Sequence, residues 1–199
     1  MVIEKARPIS DAIFFQLVKP FLFVDANLVT LLAFLWSVLA VYFYFKDLLI
    51  WAALCVIMNG VFDVVDGKIA KSKKTAKPFG IFLDPAFDRL SDMMVIVGIA
   101  VSPYCGLELG FVLVIVTFLV SYFGTLGLQM KVGRVSGGLV SRGDRIMIMI
   151  TATIVQHFLR NPFYGRFLLE WIVIILIATS AISVIQRLLT ITNRLKHES

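Results

Sequence analysis

The stretch FDVVDGKIAKSKKTAKPFGIFLDPAFD, residues 62–88, places four aspartates between two strongly apolar segments. A carboxylate at the centre of a membrane-spanning helix costs roughly 2.5–3.5 kcal/mol on insertion scales, so acids in such places usually serve a function. Four carboxylates close together also need compensating positive charge. The stretch therefore marks the candidate functional site, formed by Asp63, Asp66, Asp84 and Asp88.

The rest of the chain has the composition of a membrane protein. It has 199 residues, 59% of them hydrophobic, and a mean hydropathy of +0.92. Several apolar runs reach the length of about 18 residues or more that crosses a hydrocarbon core of roughly 30 Å. We predict an all-α, polytopic, single-domain membrane protein over residues 1–199. Its six transmembrane helices are expected at residues 28–45, 48–70, 82–101, 109–130, 145–159 and 167–190.

A juxtamembrane segment, residues 1–26, should precede the six-span bundle of residues 27–192. Residues 9–23 mix apolar side chains with Asp11, Gln16 and Lys19, and Pro20 interrupts them. This segment is too polar to span a bilayer and is typical of an interfacial amphipathic helix. Asp25 or Asn27 can then cap the first span, since both residue types are favoured at helix N-termini.

The distribution of basic residues predicts the orientation of the bundle. Lys46, Arg160 and Arg166 fall on one side of the predicted membrane, and the other sixteen of the 19 lysines and arginines fall on the opposite side. Cytoplasmic loops carry the excess of Lys and Arg, so both termini and the aspartates should be cytoplasmic, in a multi-pass protein of the cell membrane. The formal charge of +6 then indicates anionic lipid rather than nucleic acid as the partner.

Helical spacing predicts that the aspartates converge. Asp63 and Asp66 are at i,i+3 near the end of the second span, and Asp84 and Asp88 are at i,i+4 near the start of the third. Each pair shares a helix face, and two helices joined by a short connection and facing each other would bring all four carboxylates into one pocket. Oxygen ligands select hard divalent cations such as Mg²⁺, Mn²⁺ or Ca²⁺. The alternative is pairing of single aspartates with nearby lysines.

At this point the residues resemble the CDP-alcohol phosphatidyltransferase family, whose signature is D-x2-D-G-x2-A-R-x8-G-x3-D-x3-D. This chain matches seven of the eight fixed positions. At the eighth, Lys71 replaces arginine, which keeps the positive charge but lacks the bidentate hydrogen-bonding geometry of a guanidinium group. The six-span layout extends the resemblance to most of the chain. The matching residues are Asp63, Asp66, Gly67, Ala70, Gly80, Asp84 and Asp88.

The resemblance implies a phospholipid-headgroup transferase that moves a phosphatidyl-type group from a CDP-linked lipid to a small alcohol and releases CMP. It implies two divalent cations, Mg²⁺ or Mn²⁺, held by Asp63, Asp66 and Asp84. Asp88 would complete the second metal site and deprotonate the acceptor hydroxyl. The CDP site would include Gly67, Ala70, Lys71 and Gly80, and the protein would be a homodimer embedded among membrane lipids.

A second basic segment, residues 131–145, lies on the predicted side of the aspartates and bears on the acceptor. Its basic residues either anchor the loop at the membrane or bind an acceptor that carries a phosphate. We favour a phosphorylated polyol such as inositol phosphate or glycerol phosphate. The candidate acceptor-binding residues are Lys131, Arg134, Arg142 and Arg145.

Two other functions fit part of the pattern. Intramembrane Mg²⁺-dependent prenyltransferases also use two aspartate-rich motifs, but they need about nine spans and this chain has room for six. An ion transporter would have an aspartate-lined path with acids near the membrane midplane. Here the acids cluster at one face, which favours the transferase.

Overall fold

The computed structural model describes residues 25–72, 78–130, 133 and 138–198, and this part of the chain is all-helical. It has six helices: α1 (Ala26–Phe45), α2 (Leu49–Ser72), α3 (Pro78–Val101), α4 (Leu107–Gln129), α5 (Arg142–Phe158) and α6 (Leu168–Glu198). Each of the six predicted spans falls on one of these helices. The predicted amphipathic helix at residues 9–23 lies outside the described residues.

The ends of the helices differ from the prediction for local reasons. Helix α3 begins at Pro78, four residues before the predicted start, because proline fits the first turn of a helix, where its missing N–H is not needed. Helix α6 runs eight residues past the predicted end, to Glu198. At the start of α1 the predicted cap is confirmed, since the Asp25 carboxylate accepts a hydrogen bond of 3.1 Å from the backbone N–H of Asn27.

Four of the helices are long and apolar enough to cross a membrane. They are Ala26–Phe45, Leu49–Ile69, Leu107–Gln129 and Leu168–Lys196. The other two, α3 and α5, carry residues of the candidate site in their N-terminal halves, Asp84 and Asp88 on α3 and Arg142 and Arg145 on α5. These four helices confirm the prediction that the chain has the long apolar helices of an integral membrane protein.

Helix α1 packs against both α2 and α3, and this corrects the predicted arrangement of the acidic helices. We expected α2 and α3 to face each other, but they make few contacts with one another. The contact between α1 and α3 is close: a Cβ atom at Gly98 would lie 2.6 Å from the ring of Tyr44. On the other side of α1, the Asn59 amide of α2 donates a 2.8 Å hydrogen bond to the backbone oxygen of Ala33. Helix α1 thus sets the spacing at which the acidic turns of α2 and α3 meet.

The buried core ties the remaining helices to this trio. It includes Tyr44, Ile96, Leu113, Met149 and Leu169, one residue from each of α1, α3, α4, α5 and α6. The Tyr44 hydroxyl and the Thr153 hydroxyl are 2.7 Å apart, and this hydrogen bond joins α1 to α5. Because α5 is held in this way, its N-terminal turn lies beside the acidic turns of α2 and α3.

Candidate active site

Three carboxylates converge where α2 and α3 approach each other. Oxygen atoms of Asp63, Asp66 and Asp84 all lie within 4.8 Å of one another. Ligand oxygens lie about 2.0–2.6 Å from Mg²⁺ or Ca²⁺, so two ligands of one ion are separated by no more than about 5 Å. The three side chains are therefore spaced as the oxygen ligands of a hard cation.

Asp66 gives a second indication that this site holds a cation. Its side chain is 3% exposed, and one oxygen accepts a 2.6 Å hydrogen bond from the Thr30 hydroxyl of α1. The other oxygen, Oδ1, is buried and no described residue donates a hydrogen bond to it. A buried carboxylate oxygen without a partner is costly, and a metal ion at the three-carboxylate cluster would satisfy it. The residues present fit the metal that the motif implies.

Asp88, the fourth predicted ligand, lies beside this cluster and is paired with an arginine. The Arg142 atom Nη1 is 2.8 Å from the Asp88 carboxylate and 3.5 Å from that of Asp63. The guanidinium group of α5 thus joins the acidic turns of α3 and α2. The predicted pocket of four carboxylates exists as a cluster of three with the fourth adjoining it through Arg142.

Asp92 completes the network, and the sequence analysis did not identify it. It is 2% exposed. The Arg142 atom Nε lies 3.1 and 3.2 Å from its two carboxylate oxygens, and the Arg145 atom Nη2 lies 3.3 Å from one of them. The available signal was its position: Asp84, Asp88 and Asp92 follow one another at i,i+4 and so occupy one face of α3. Thr30 was also missed, because no sequence signal pairs it with Asp66.

The start of α5 explains how Arg142 and Arg145 reach the site. Ser141 caps the helix and forms a reciprocal capping box with Asp144, an arrangement that satisfies backbone N–H groups at the helix N-terminus. Hydrogen bonds from Ser141 hold the pKa of the exposed Asp144 carboxyl below its ordinary value. This cap begins the helix at Arg142, so that both arginines lie in its first two turns and face the acidic side chains of α2 and α3.

The structure describes some of the remaining predicted site residues and not others. A Cβ atom at Gly67 would meet no heavy atom within 4 Å, so the backbone there borders open space. A Cβ atom at Gly80 would lie 3.2 Å from the side-chain oxygen of Asn27. Ala70 and Lys71 belong to the last turn of α2. Lys131 and Arg134 lie outside the described residues.

The sequence of this protein matches the family model described as CDP-alcohol phosphatidyltransferase over residues 23–137. That range contains the whole aspartate motif and more than half of the chain. The chain therefore belongs to the CDP-alcohol phosphatidyltransferase family, which confirms the prediction from residues 63–88 and the predicted class of enzyme. The match favours this class over the prenyltransferase and ion-transporter alternatives.

Curated relatives and solved structures agree with the family assignment. The chain is 30% identical over 175 residues to archaetidylinositol phosphate synthase of Methanothermobacter thermautotrophicus, covering 86% of this chain and 85% of that protein. It is 29% identical over 152 residues to the protein of the same name from Pyrococcus horikoshii, covering 76% and 80%. The crystal structure of Mycobacterium tuberculosis phosphatidylinositol phosphate synthase with CDP-DAG bound has a TM-score of 0.77 to this fold at 24% identity, covering 90% of this chain and 94% of that one. The shared fold thus extends over nearly the whole chain.

Proposed function

We propose that this protein transfers a phosphatidyl-type group from a CDP-linked lipid to the hydroxyl of a phosphorylated polyol, with inositol phosphate as the first candidate, and releases CMP. The observation that carries the proposal is the joining of three convergent carboxylates to two arginines in one site. The carboxylates suit a donor diphosphate held through cations, and the arginines suit a second, anionic substrate. Two relatives named archaetidylinositol phosphate synthase support the inositol phosphate acceptor.

The direct test supplies the purified protein with a CDP-linked lipid, Mn²⁺ and a panel of alcohols, and measures CMP release. We expect release with inositol phosphate, and weaker or no release with free inositol and serine. Glycerol phosphate is the second candidate acceptor in the panel. If none of the alcohols in the panel causes CMP release, the proposed function is refuted. If only free inositol or serine causes it, the proposed acceptor is refuted.

The metal assignment rests on the residues themselves. Asp63, Asp66 and Asp84 would hold a divalent cation through the oxygens that converge, and Asp88 would complete a second site. When bound, two Mg²⁺ or Mn²⁺ ions neutralise the donor diphosphate and polarise the attacked phosphorus. The solved relative in complex with manganese and citrate shares this fold, with a TM-score of 0.76 at 24% identity over 89% of this chain and 88% of that one.

The chain's own residues would then carry the proton and orient the substrates. Asp88 accepts the proton of the acceptor hydroxyl, and the resulting alkoxide attacks the phosphorus attached to the lipid alcohol. The bond from that phosphorus to the CMP oxygen breaks, so the products are a phosphodiester and CMP. Gly67, Ala70, Lys71 and Gly80 line the CDP side, where the open space beside Gly67 admits a ligand close to the backbone.

Arg142 and Arg145 would bind the acceptor phosphate, together with Lys131 and Arg134. Both arginines lie at the positive end of the α5 dipole, an unfavourable place for a cation and a favourable one for an anion. Arg145 is 4% exposed, and its Nε is buried with no hydrogen-bond partner among the described residues. A phosphate dianion would satisfy such a group with a charge-assisted hydrogen bond, whereas the hydroxyl oxygen of a neutral alcohol would be a weaker acceptor.

Replacing Arg145 by glutamine should raise the acceptor KM about tenfold or more and leave donor affinity nearly unchanged. The reason is the loss of a charge-assisted hydrogen bond worth about 1.5–3 kcal/mol, and each 1.4 kcal/mol is about a factor of ten. Steady-state kinetics with inositol phosphate measure the effect. Arg160→Gln is the matched control, since Arg160 follows the other end of α5 and pairs with Asp47 at 2.8 Å. Equal acceptor KM values for the two variants would contradict the phosphate pocket.

The proposal includes six spans, in which α3 and α5 cross the membrane beside the four long apolar helices, and the active site on the cytoplasmic side of the cell membrane. Its support is the distribution of lysine and arginine along the chain. We also propose that residues 1–199 form a single domain and that the protein is a homodimer, and the family resemblance supports both. An amphipathic helix at residues 9–23 would lie at the cytoplasmic interface.

Cysteine labelling tests this orientation. Cys105 lies between α3 and α4 and should be labelled from outside by an impermeant maleimide, in a Cys55→Ala variant that leaves it as the single thiol. Burial, with the Glu170 carboxylate as a further cause, raises the pKa of the Cys105 thiol to about 11. Because the thiolate reacts, the labelling rate should rise about 100-fold from pH 7 to pH 9. Labelling that requires permeabilised membranes would reverse the proposed orientation.

A further inference from the structure

Asp92 is the most deeply buried of the three carboxylates that share one face of α3. Asp84 is exposed and Asp88 is half-buried, whereas Asp92 is 2% exposed. It lies one turn beyond Asp88, outside the fixed positions of the family signature. A buried carboxylate is stabilised only when it is paired, and here the partners are two arginines of α5.

One carboxylate holds both guanidinium groups. Nε of Arg142 contacts both oxygens of Asp92, at 3.1 and 3.2 Å, and Nη2 of Arg145 contacts one of them at 3.3 Å. Two cations in a largely buried place repel each other, and the shared carboxylate offsets that repulsion. The Asp92 carboxylate is occupied by these contacts and is closed to solvent.

The contacts of Asp92 also set the direction of each guanidinium group. The group is planar and its N–H donors have a fixed geometry, so binding of Nε to Asp92 leaves Nη1 of Arg142 pointing at Asp88, at 2.8 Å. Binding of Nη2 to Asp92 leaves Nε of Arg145 buried and without a partner among the described residues. Asp92 thus holds both arginines, while Nη1 of Arg142 pairs with Asp88 and the buried Nε of Arg145 still lacks an acceptor among the described residues.

We propose that Asp92 is a positioning residue for the acceptor: it fixes Arg142 and Arg145 in the orientation that binds the acceptor's phosphate. Asp92 touches no substrate and acts through the two arginines. This inference rests on the proposed function, since it assigns the arrangement of the phosphate pocket to a residue behind it. A structural role alone would lower stability without a selective change in acceptor kinetics.

The test is Asp92→Asn, which keeps the shape of the side chain and one oxygen acceptor while removing the charge. We expect the acceptor KM to rise about tenfold, with donor KM within about twofold of the wild type. Asp47→Asn is the matched control, because it also removes a carboxylate paired with an arginine, at 2.8 Å, near the opposite end of α5. Thermal protection by the CDP-linked lipid shows that each variant retains a folded donor site.

A double variant covers the case in which Asp92→Asn does not fold. Asp92→Asn combined with Arg145→Gln removes one buried cation together with the carboxylate, which lowers the charge left unpaired. If Asp92 acts through Arg145, the acceptor KM of the double variant should match that of Arg145→Gln alone within about threefold, because coupled residues are not additive. An acceptor KM of the double variant more than about tenfold above that of Arg145→Gln alone would overturn the inference.

The outcomes separate this inference from the proposed function. A wild-type protein that releases no CMP with any phosphorylated polyol refutes the function. A wild-type protein that is active, together with an unchanged acceptor KM in Asp92→Asn, overturns the positioning role and leaves the function standing. Equal rises in donor and acceptor KM would also overturn it, since they indicate general damage to the site.

Discussion

Replacement of Asp84 by asparagine should lower turnover by about a thousandfold or more and raise the Mn²⁺ concentration needed for half-maximal activity. Asp84 is one of three side chains whose oxygens lie within 4.8 Å of one another, and asparagine removes its charge at nearly constant shape. Metal ions supply several kcal/mol of transition-state stabilisation, and about 4 kcal/mol corresponds to a thousandfold change in rate. CMP release measured across a Mn²⁺ titration gives both quantities.

Asp84 is a better probe of the metal site than Asp66 because it is exposed. Its replacement leaves no buried group unpaired, so we expect Asp84→Asn to keep the fold. Asp66→Asn is expected to combine the same catalytic loss with lower thermal stability, since Asp66 is buried and hydrogen-bonded to Thr30. Direct Mn²⁺ binding by paramagnetic resonance should weaken in both variants.

Glu108→Gln is the control for non-specific loss of negative charge. Glu108 is an exposed acid in the first turn of α4, at the end of the bundle away from the aspartates, and its replacement should leave turnover and Mn²⁺ dependence unchanged. If Asp84→Asn retains turnover within tenfold of the wild type and the same Mn²⁺ dependence, Asp84 is not a metal ligand. The three-carboxylate site would then need another explanation.

The sequence was sufficient to predict the helices and the acidic cluster because both depend on local pattern. Apolar runs predict the helices, four of which have the length and hydropathy of a membrane span, and the spacing of Asp63 and Asp66 identifies a shared face. The early start of α3 at Pro78 was missed because the basic residues before it have the composition of a loop. The position of α1 between α2 and α3 was missed because it is set by packing, as at Gly98 and Tyr44.

The partners of the charged residues were not predictable from local pattern. Arg142 was identified as a candidate acceptor ligand, but its ion pair with Asp92 joins residues 50 positions apart. Thr30 and Asp66 are separated by 36 positions. Such pairs exist only after α1 has packed on α2 and α5 on α3. The spacing of Asp84, Asp88 and Asp92 was visible in the sequence, but the family signature ends at Asp88.

Asp88→Asn should lower turnover by about 10²–10⁴-fold, the range expected when a general base is lost. The effect on donor affinity should be milder than in Asp84→Asn, since proton transfer matters mainly at the transition state. The structure adds a competing explanation: Asp88 pairs with Arg142 at 2.8 Å, so its replacement also releases that arginine. Single-turnover CMP release at saturating donor and acceptor measures the chemical step.

A double-mutant cycle separates the two roles of Asp88. If Asp88 only holds Arg142 in place, Asp88→Asn combined with Arg142→Gln should be no slower than Arg142→Gln alone, because the first change acts entirely through the second residue. If Asp88 is the base, the double variant should lose the further factor of about 10²–10⁴ in the chemical step. Asp47→Asn with Arg160→Gln, the carboxylate–arginine pair beside the other end of α5, is the parallel cycle and should leave that step unchanged. The base assignment depends on this comparison, because the ion pair of Asp88 with Arg142, at 2.8 Å, gives Asp88 a positioning role that a loss of turnover in Asp88→Asn alone would not distinguish from proton transfer.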